Sequence, residues 1–329
     1  MSGIVFAGNL IVDHIKEIDR LPNRGELAPI RALSDATGGC VCNTGIDFAV
    51  LAPEIPAKAL GVAGADADGD LILRTLSEHG FDVSGIVRRG ETSFTEVYCE
   101  RENNCRTFYQ YGGANDTFSP ADVNVDALDC EIFHIGYLLL LRDLDAPDEE
   151  YGTVMARLLH DVQAKGIRTS LDAVSENSDR FRRIISPALK YTDYLTFNEI
   201  EAGKTVGLEL REEDGTLRED LIPEALSRLF AAGVARQAVI HCPEGAFGMD
   251  AQGTFFSEPS KKLPKGYIVG TTGAGDAFCA GILVAALRGW SLPEALRCGN
   301  ASAQVSLRDL SATGSMVSME EALREYERL

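Results

Sequence analysis

The chain has one tryptophan, five histidines, and 31 lysines and arginines against 50 aspartates and glutamates in 329 residues. The shortage of basic residues leaves a formal net charge of −19. That balance excludes a nucleic-acid or anionic-membrane surface, since both need clustered lysine and arginine. No uncharged apolar run reaches the ~20 residues that a membrane helix needs. Residues 1–10 lack a basic n-region and a cleavage site, so no secretory signal is expected. The eight cysteines are scattered, and the one close pair, Cys40 and Cys42, is too tight for the usual zinc spacing. They read as small buried hydrophobes in a reducing compartment, and a cytoplasmic location is expected. Repeats, low-complexity runs and long linkers are missing, which favours one domain over residues 1–329. Two nucleotide motifs are missing as well. No Walker A loop occurs, and Gly273-Ala274-Gly275 is followed by Phe278 where a dinucleotide fingerprint requires a third glycine.

What is present is an ordinary globular composition, 45% hydrophobic and 25% charged, with strand and helix patterns that alternate. Strands are expected at 4–12, 57–63, 131–137, 168–174, 194–197 and 237–242, with β-like runs at 248–256 and 267–269. Helices are expected at 40–50, 70–79, 149–165, 181–191, 199–206, 223–232, 276–287, 292–304 and 319–329. Such alternation means a mostly parallel sheet covered on both faces, with ligands at the carboxyl ends of its strands. Two segments interrupt the order. Residues 16–34 are polar and carry Pro22, Gly25 and Pro29. Residues 92–100 and 105–111 are strand-like and joined by a turn at 101–104, a hairpin signal. Together they are expected to form a small sheet outside the main fold.

The stretch with most chemical content is Gly270-Thr271-Thr272-Gly273-Ala274-Gly275-Asp276-Ala277-Phe278. It reads as a glycine turn entering a helix whose following residues are almost all apolar, the pattern of a buried helix. Unpaired N–H groups and the aligned peptide dipoles make such a helix start attractive to anions. A carboxylate at Asp276 would repel an anion unless it has a task. The helix start is expected to lower its pKa and keep it ionised, ready to accept a hydroxyl proton. The plainer reading is a favoured helix-start residue. Asn198 and Glu201 just after a strand read either as a cap with a solvated acid or as a polar pair holding Mg²⁺ through water. Gly38-Gly39 with Asn43 reads as a turn or a site loop, Asp13 as a strand end or a ligand contact. Gly245 and Gly248 read as a bulge or a nucleotide border.

In combination these pieces resemble the ribokinase-like (PfkB) family of carbohydrate and nucleoside kinases. Residues 271–281 are similar to the family's C-terminal signature, and Gly38-Gly39-x-x-x-Asn43 to its N-terminal one. Asn198-x-x-Glu201 resembles the N-x-x-E motif, and Gly245-x-x-Gly248 the nucleotide-side glycines. Gly113-Ala114-Asn115 and Asn300-Ala301 fall where members carry such pieces. The resemblance implies a three-layer sandwich with a small β-sheet lid from about 14–36 and 92–112, which often pairs protomers into a homodimer. It implies transfer of the ATP γ-phosphate to a hydroxymethyl group of a small sugar or sugar acid. Asp276 would be the base, and the N–H groups of Gly273, Ala274 and Gly275 the anion hole. Asp13, Gly38, Gly39, Asn43, Asn115 and Tyr137 would face the acceptor. Asn198, Gly245, Gly248, Thr271 and Asn300 would border the nucleotide, and Asn198 with Glu201 would set Mg²⁺. Gly270 replaces an Asp that commonly helps bind a monovalent cation, which counts against K⁺ activation. A nucleoside kinase is the alternative, with Phe108, Tyr109, Tyr111 and Tyr137 as stacking candidates. Arg101 and Arg106 are candidate contacts for a phosphorylated sugar. A silent sugar-binding regulator is the remaining alternative, against which the intact Gly273–Asp276 element speaks.

Overall fold

The computed structural model describes residues 3–103, 105–174 and 180–329. In chain order its main strands are β1 (Gly3–Gly8), β2 (Ile11–Ile18), β3 (Ile30–Gly38), β4 (Ala57–Ala63), β5 (Asp82–Arg88), β6 (Ser93–Glu100), β7 (Arg106–Tyr111) and β8 (Cys130–Leu138). The two-residue strands β9 (Pro147–Asp148) and β10 (Gly152–Thr153) follow, then β11 (Arg168–Ala173), β12 (Tyr194–Asn198), β13 (Gln237–Cys242), β14 (Gly245–Asp250) and β15 (Phe255–Pro259). The α-helices are α1 (Cys40–Leu51), α2 (Ala67–Glu78), α3 (Val154–Ala164), α4 (Phe181–Leu189), α5 (Glu199–Val206), α6 (Ile222–Ala232), α7 (Ala274–Leu287), α8 (Leu292–Ser306) and α9 (Met319–Arg328).

Among the described residues nine strands make the central sheet, in the order β15-β14-β13-β12-β11-β8-β1-β4-β5. It is parallel from β5 to β13, and β14 and β15 run antiparallel at one edge. Period-two alternation places Ile4 and Phe6 of β1 in one core with residues of α1, α7, α8 and α9. Val5 and Ala7 go to the other core, with residues of α3, α4 and α6. Helix layers on both faces explain why the parallel strands read as continuous apolar runs. The chain steps from β1 to β4 on one side and to β8 on the other, so the order reverses at β1. The carboxyl ends of β1, β8, β11, β12 and β13 therefore converge at a switch point.

A second sheet, ordered β3-β2-β6-β7, stands apart from the first and uses the two interrupting segments. Of the expected hairpin turn at 101–104, Asn104 lies outside the described residues.

Several boundaries differ from the sequence expectation, four of them for a clear local reason. The run at 4–12 is two strands, broken at Asn9-Leu10, where Gly8 has φ +122° and a Cβ would lie 1.8 Å from the Gly136 carbonyl oxygen. The Asn9 side chain fixes the break by accepting from the Tyr137 N–H and donating to the Leu140 carbonyl. Helix α2 starts earlier, at Ala67, because Asp66 caps it by accepting from the Gly69 N–H at 2.9 Å. Helix α3 starts later, at Val154, since Asp148 accepts from the Glu150 and Tyr151 N–H groups and turns the chain first. The run at 248–256 is a hairpin turned by Asp250, which accepts from the Gln252 and Thr254 N–H groups. Residues 267–269 are irregular, with a bend at Val269, rather than strand. Among the described residues no helix is long and apolar enough to cross a membrane.

Candidate active site

Helix α7 is the buried axis of the site: every residue from Ala277 to Leu287 is buried. Gly273 caps its start at φ +77°, a left-handed conformation. A Cβ there would lie 2.7 Å from Cα of Ala312, so the turn needs glycine for space as well. Gly270 packs as closely, since a Cβ would lie 2.5 Å from the Asp309 carbonyl oxygen. An aspartate at this position would collide with that backbone, and this explains the departure noted in the sequence.

Asp276, in the first turn of α7, receives three hydrogen bonds. Tyr137 Oη donates to its Oδ1 at 2.5 Å, Thr44 Oγ1 to Oδ1 at 3.0 Å, and Asn43 Nδ2 to Oδ2 at 3.3 Å. Thr44 and Asn43 arrive on α1, which starts at Gly39 with φ +84°. A Cβ on Gly39 would meet the Asn9 carbonyl oxygen at 2.7 Å, so glycine alone lets α1 begin against the end of β1. Asn43 Oδ1 is buried with no partner among the described residues. The expectation of a lowered Asp276 pKa is not met. Burial raises it above the ordinary carboxylate value, and the bonds from Tyr137, Thr44 and Asn43 only partly offset this.

Two cavities meet at the start of α7. The larger, about 560 Å³, is lined mainly by apolar side chains, with Asn198, Thr271, Ala274, Gly275 and Asn300 on its walls. The smaller, about 280 Å³, holds Asp276, Tyr137, Asn198, Glu201 and Asp172. Asn198, His241 and Gly275 border both. Asn198 caps α5, accepting from the Glu201 N–H at 2.9 Å, while Glu201 Oε2 accepts from the Asn198 N–H at 3.0 Å. The cap is present, its acid Glu201 is buried rather than solvated, and both residues also line the smaller cavity. Asp172, at the end of β11, has its pKa raised well above the ordinary value by burial, then by the charges of Glu201 and Asp276. His241 stacks on Phe278 at 4.8 Å and is held down to a pKa of about 4 by burial.

One face of the small sheet is tied to the glycine turn. Cross-strand partners put Asp13, Ala36, Thr95 and Gln110 on one side, together with Val97, Phe108, Cys99 and Arg106. Arg106 crosses to the glycine turn and donates to Thr272 Oγ1. Burial raises the Asp13 pKa, opposed by the Thr95 hydrogen bond and the charges of His14 and Arg106. A Cβ on Gly38 would sit 2.9 Å from Asp13 Oδ2, so that glycine makes room for the carboxylate.

Three expected contacts lie elsewhere. Asn115 is buried, and both ends of its carboxamide are engaged by Leu10, accepting from its N–H at 3.0 Å and donating to its carbonyl at 3.1 Å. It clamps the chain between the two sheets. Gly245 and Gly248 lie within β14 and are not among the residues lining either cavity. A Cβ on Gly245 would strike the Glu258 carbonyl oxygen at 2.7 Å, and one on Gly248 would press on Leu292, so both serve packing. Asn300 lines the large cavity but spends its amide on the Glu258 carbonyl at 2.9 Å.

The sequence reading missed Thr44 and Asp172. Asp172 lies inside the strand expected at 168–174, where its sequence context does not single it out, and Asp13 lies within β2 rather than at a strand end. The pfkB family carbohydrate kinase model matches residues 1–319 of the chain. The chain belongs to the pfkB family. This pfkB carbohydrate kinase is 26% identical to the ribokinase of Haemophilus influenzae over 330 residues, covering 97% of both chains. Among solved structures it is similar to Arabidopsis thaliana ribokinase complexed with ribose and ATP, with a TM-score of 0.79, 22% identity and 98% of both chains covered. It is also similar to the Methanocaldococcus jannaschii nucleoside kinase, with a TM-score of 0.75, 18% identity, and 100% of this chain and 99% of that one covered. The kinase thus has the ribokinase fold, a mixed sheet between helices with a small separate sheet.

Proposed function

We propose that this kinase moves the γ-phosphate of ATP to a hydroxymethyl group of a small sugar acid, with Asp276 as general base. The observation that carries the proposal is the Asp276 carboxylate at the N-terminus of α7, where the two cavities meet. ATP occupies the larger cavity, with its phosphates directed at the turn. The acceptor lies between that turn and the Asp13 side of the small sheet. Asp276 takes the hydroxyl proton as the oxygen forms its bond to Pγ, and the bond from Pγ to the bridging oxygen breaks, releasing ADP. The N–H groups of Gly273, Ala274 and Gly275 receive the charge on the phosphoryl oxygens. Asn43 Oδ1, buried without a partner, accepts from another acceptor hydroxyl. The small sheet acts as a lid that keeps water from the phosphoryl group.

The donor set around the smaller cavity suits Mg²⁺. Two carboxylates, Asp172 and Glu201, lie close enough for one to raise the other's pKa, and a hard dication relieves that repulsion. Asn198 and Glu201 would hold it through water, with Asp172 beside them. When bound it neutralises charge on the β- and γ-phosphates. The space taken up against Asp309 at Gly270 argues against K⁺ activation through that position.

Arg106 supports an acid as acceptor, because its guanidinium reaches the glycine turn from the acceptor side. A phosphorylated sugar offers the same charge. Phe108, 59% exposed on the same side of the sheet, supports a nucleoside as the second reading. ADP release measured over a panel of sugars, sugar acids, sugar phosphates and nucleosides separates these. In that assay Asp276→Asn is expected to lower kcat by about 10²–10⁴-fold, the usual worth of a general base. Stabilisation by ATP and by the acceptor is expected to persist. A variant with near-wild-type kcat would remove Asp276 from the role, and ligand stabilisation without turnover in the wild type would indicate a binding protein.

A further inference from the structure

Gln304 lies on α8, one turn beyond Asn300, and both line the larger cavity. It is 5% exposed, and neither Oε1 nor Nε2 has a hydrogen-bond partner among the described residues. Other polar groups on this wall are committed. Asn300 donates to the Glu258 carbonyl, and Tyr326 Oη bonds to Glu258 Oε1 at 3.1 Å and to the Pro259 carbonyl at 3.0 Å. Around Gln304 the wall is apolar, with Leu263, Ile268, Phe278, Ala303 and Leu307. A slot of this kind accepts a flat aromatic ring and rewards one that brings its own donor and acceptor. A buried amide with both ends unpaired is costly in the empty protein, and a ligand that pairs both ends recovers the loss.

We infer that Gln304 is the residue that reads the hydrogen-bonding edge of the donor nucleobase. This rests on the assignment of the larger cavity to the nucleotide made above. Both amide atoms are buried in the empty protein, and a carboxamide turned toward the cavity pairs with the amino group and adjacent ring nitrogen of adenine through two parallel hydrogen bonds. No neighbour fixes which end of the Gln304 amide is which. Turned by 180°, it offers its donor to the guanine carbonyl and its acceptor to the adjacent ring N–H. The kinase should therefore use adenine and guanine triphosphates with comparable KM and reject a purine that carries no exocyclic group.

The test compares ATP, GTP and purine riboside triphosphate as donors for the wild type, Gln304→Met and Gln304→Leu. For the wild type, KM for purine riboside triphosphate should exceed that for ATP by about 10–100-fold, the range of discrimination given by one bidentate pair. Both variants should bring the three donors to similar KM with kcat little changed. Their melting temperatures without nucleotide should equal or exceed the wild type, since an unpaired buried amide is gone. Unchanged discrimination in the variants, or none in the wild type, overturns the inference and leaves ATP as donor. A wild-type protein that no triphosphate stabilises overturns the nucleotide assignment and this inference with it.

Discussion

Asp276 is placed where two opposing effects act on one proton. Burial raises its pKa, and the hydrogen bonds from Tyr137, Thr44 and Asn43 favour the ionised form. A base must be ionised before it can accept, so kcat/KM should fall on the acid side with an apparent pKa above that of an ordinary aspartate. Tyr137→Phe removes a hydrogen bond to the charged form. The pKa should then rise further and the acid limb of the pH profile should move to higher pH, with kcat at the alkaline plateau reduced less than in Asp276→Asn. A limb that stays in place would mean that Tyr137 does not tune this carboxylate. At this scale the sequence was most informative where chemistry and backbone demand coincide. Gly273 and Asp276 lie three residues apart in one turn, and their motif carries its own meaning. Thr44 and Asp172 were not legible, because their importance comes from contacts with residues far along the chain.

At the scale of elements, the link between the small sheet and the body can be tested through His14. This residue of β2 lies 2.8 Å from Asp35 on β3 and 3.0 Å from Asp68 on α2, so one imidazole joins both sheet strands to a helix of the main layer. Glu96 on β6 adds negative charge, and the Phe94 ring packs at 5.4 Å. Burial alone would lower the His14 pKa, but the Asp35 hydrogen bond and the charges of Asp68, Asp35 and Glu96 outweigh it, and the net shift is upward. A histidine with a raised folded-state pKa contributes fully below its unfolded value of about 6.5. It loses that contribution as the pH rises through the folded value. Melting temperatures across pH 6 to 9 should show the wild type above His14→Gln at the acid end and the two converging at the alkaline end. The gap should be small, as expected of partly exposed ion pairs. A constant gap would assign His14 a packing role only.

The same scale shows why the boundaries in the sequence reading drifted. Helices α2 and α3 are bounded by Asp66 and by the Asp148 turn, whose side chains choose among several polar candidates nearby. Apolar periodicity locates the body of a helix and leaves that choice open. The split of β1 from β2 depends on Gly136 and Tyr137 of β8, which periodicity along residues 4–12 does not sense.

For the whole molecule, the small sheet raises the question of assembly. Its strands β3 and β7 are open edges, and opposite Asp13's side it carries Leu33, 72% exposed, and Tyr109, 60% exposed. Exposed apolar residues beside unpaired sheet edges are a liability that a second copy removes. Pairing through this sheet would also hold Arg106 and Asp13 in place on the other side, since one strand positions both faces. A homodimer through the lid is therefore the assembly that the exposed residues favour. The double substitution Leu33→Glu with Tyr109→Glu puts charge on that surface while leaving the Asp13 side chains untouched. Light scattering after size-exclusion chromatography should then report a dimer for the wild type and a monomer for the variant. Acceptor KM should rise more than donor KM, because the sheet carries Asp13 and meets the glycine turn only through Arg106. A wild type that is monomeric at micromolar concentration, or a variant that dimerises as well as the wild type, would place any pairing elsewhere. Charge makes the test specific to the surface: at a net −19 the protomers already repel one another. Only a patch with enough apolar area to overcome that repulsion can bring them together.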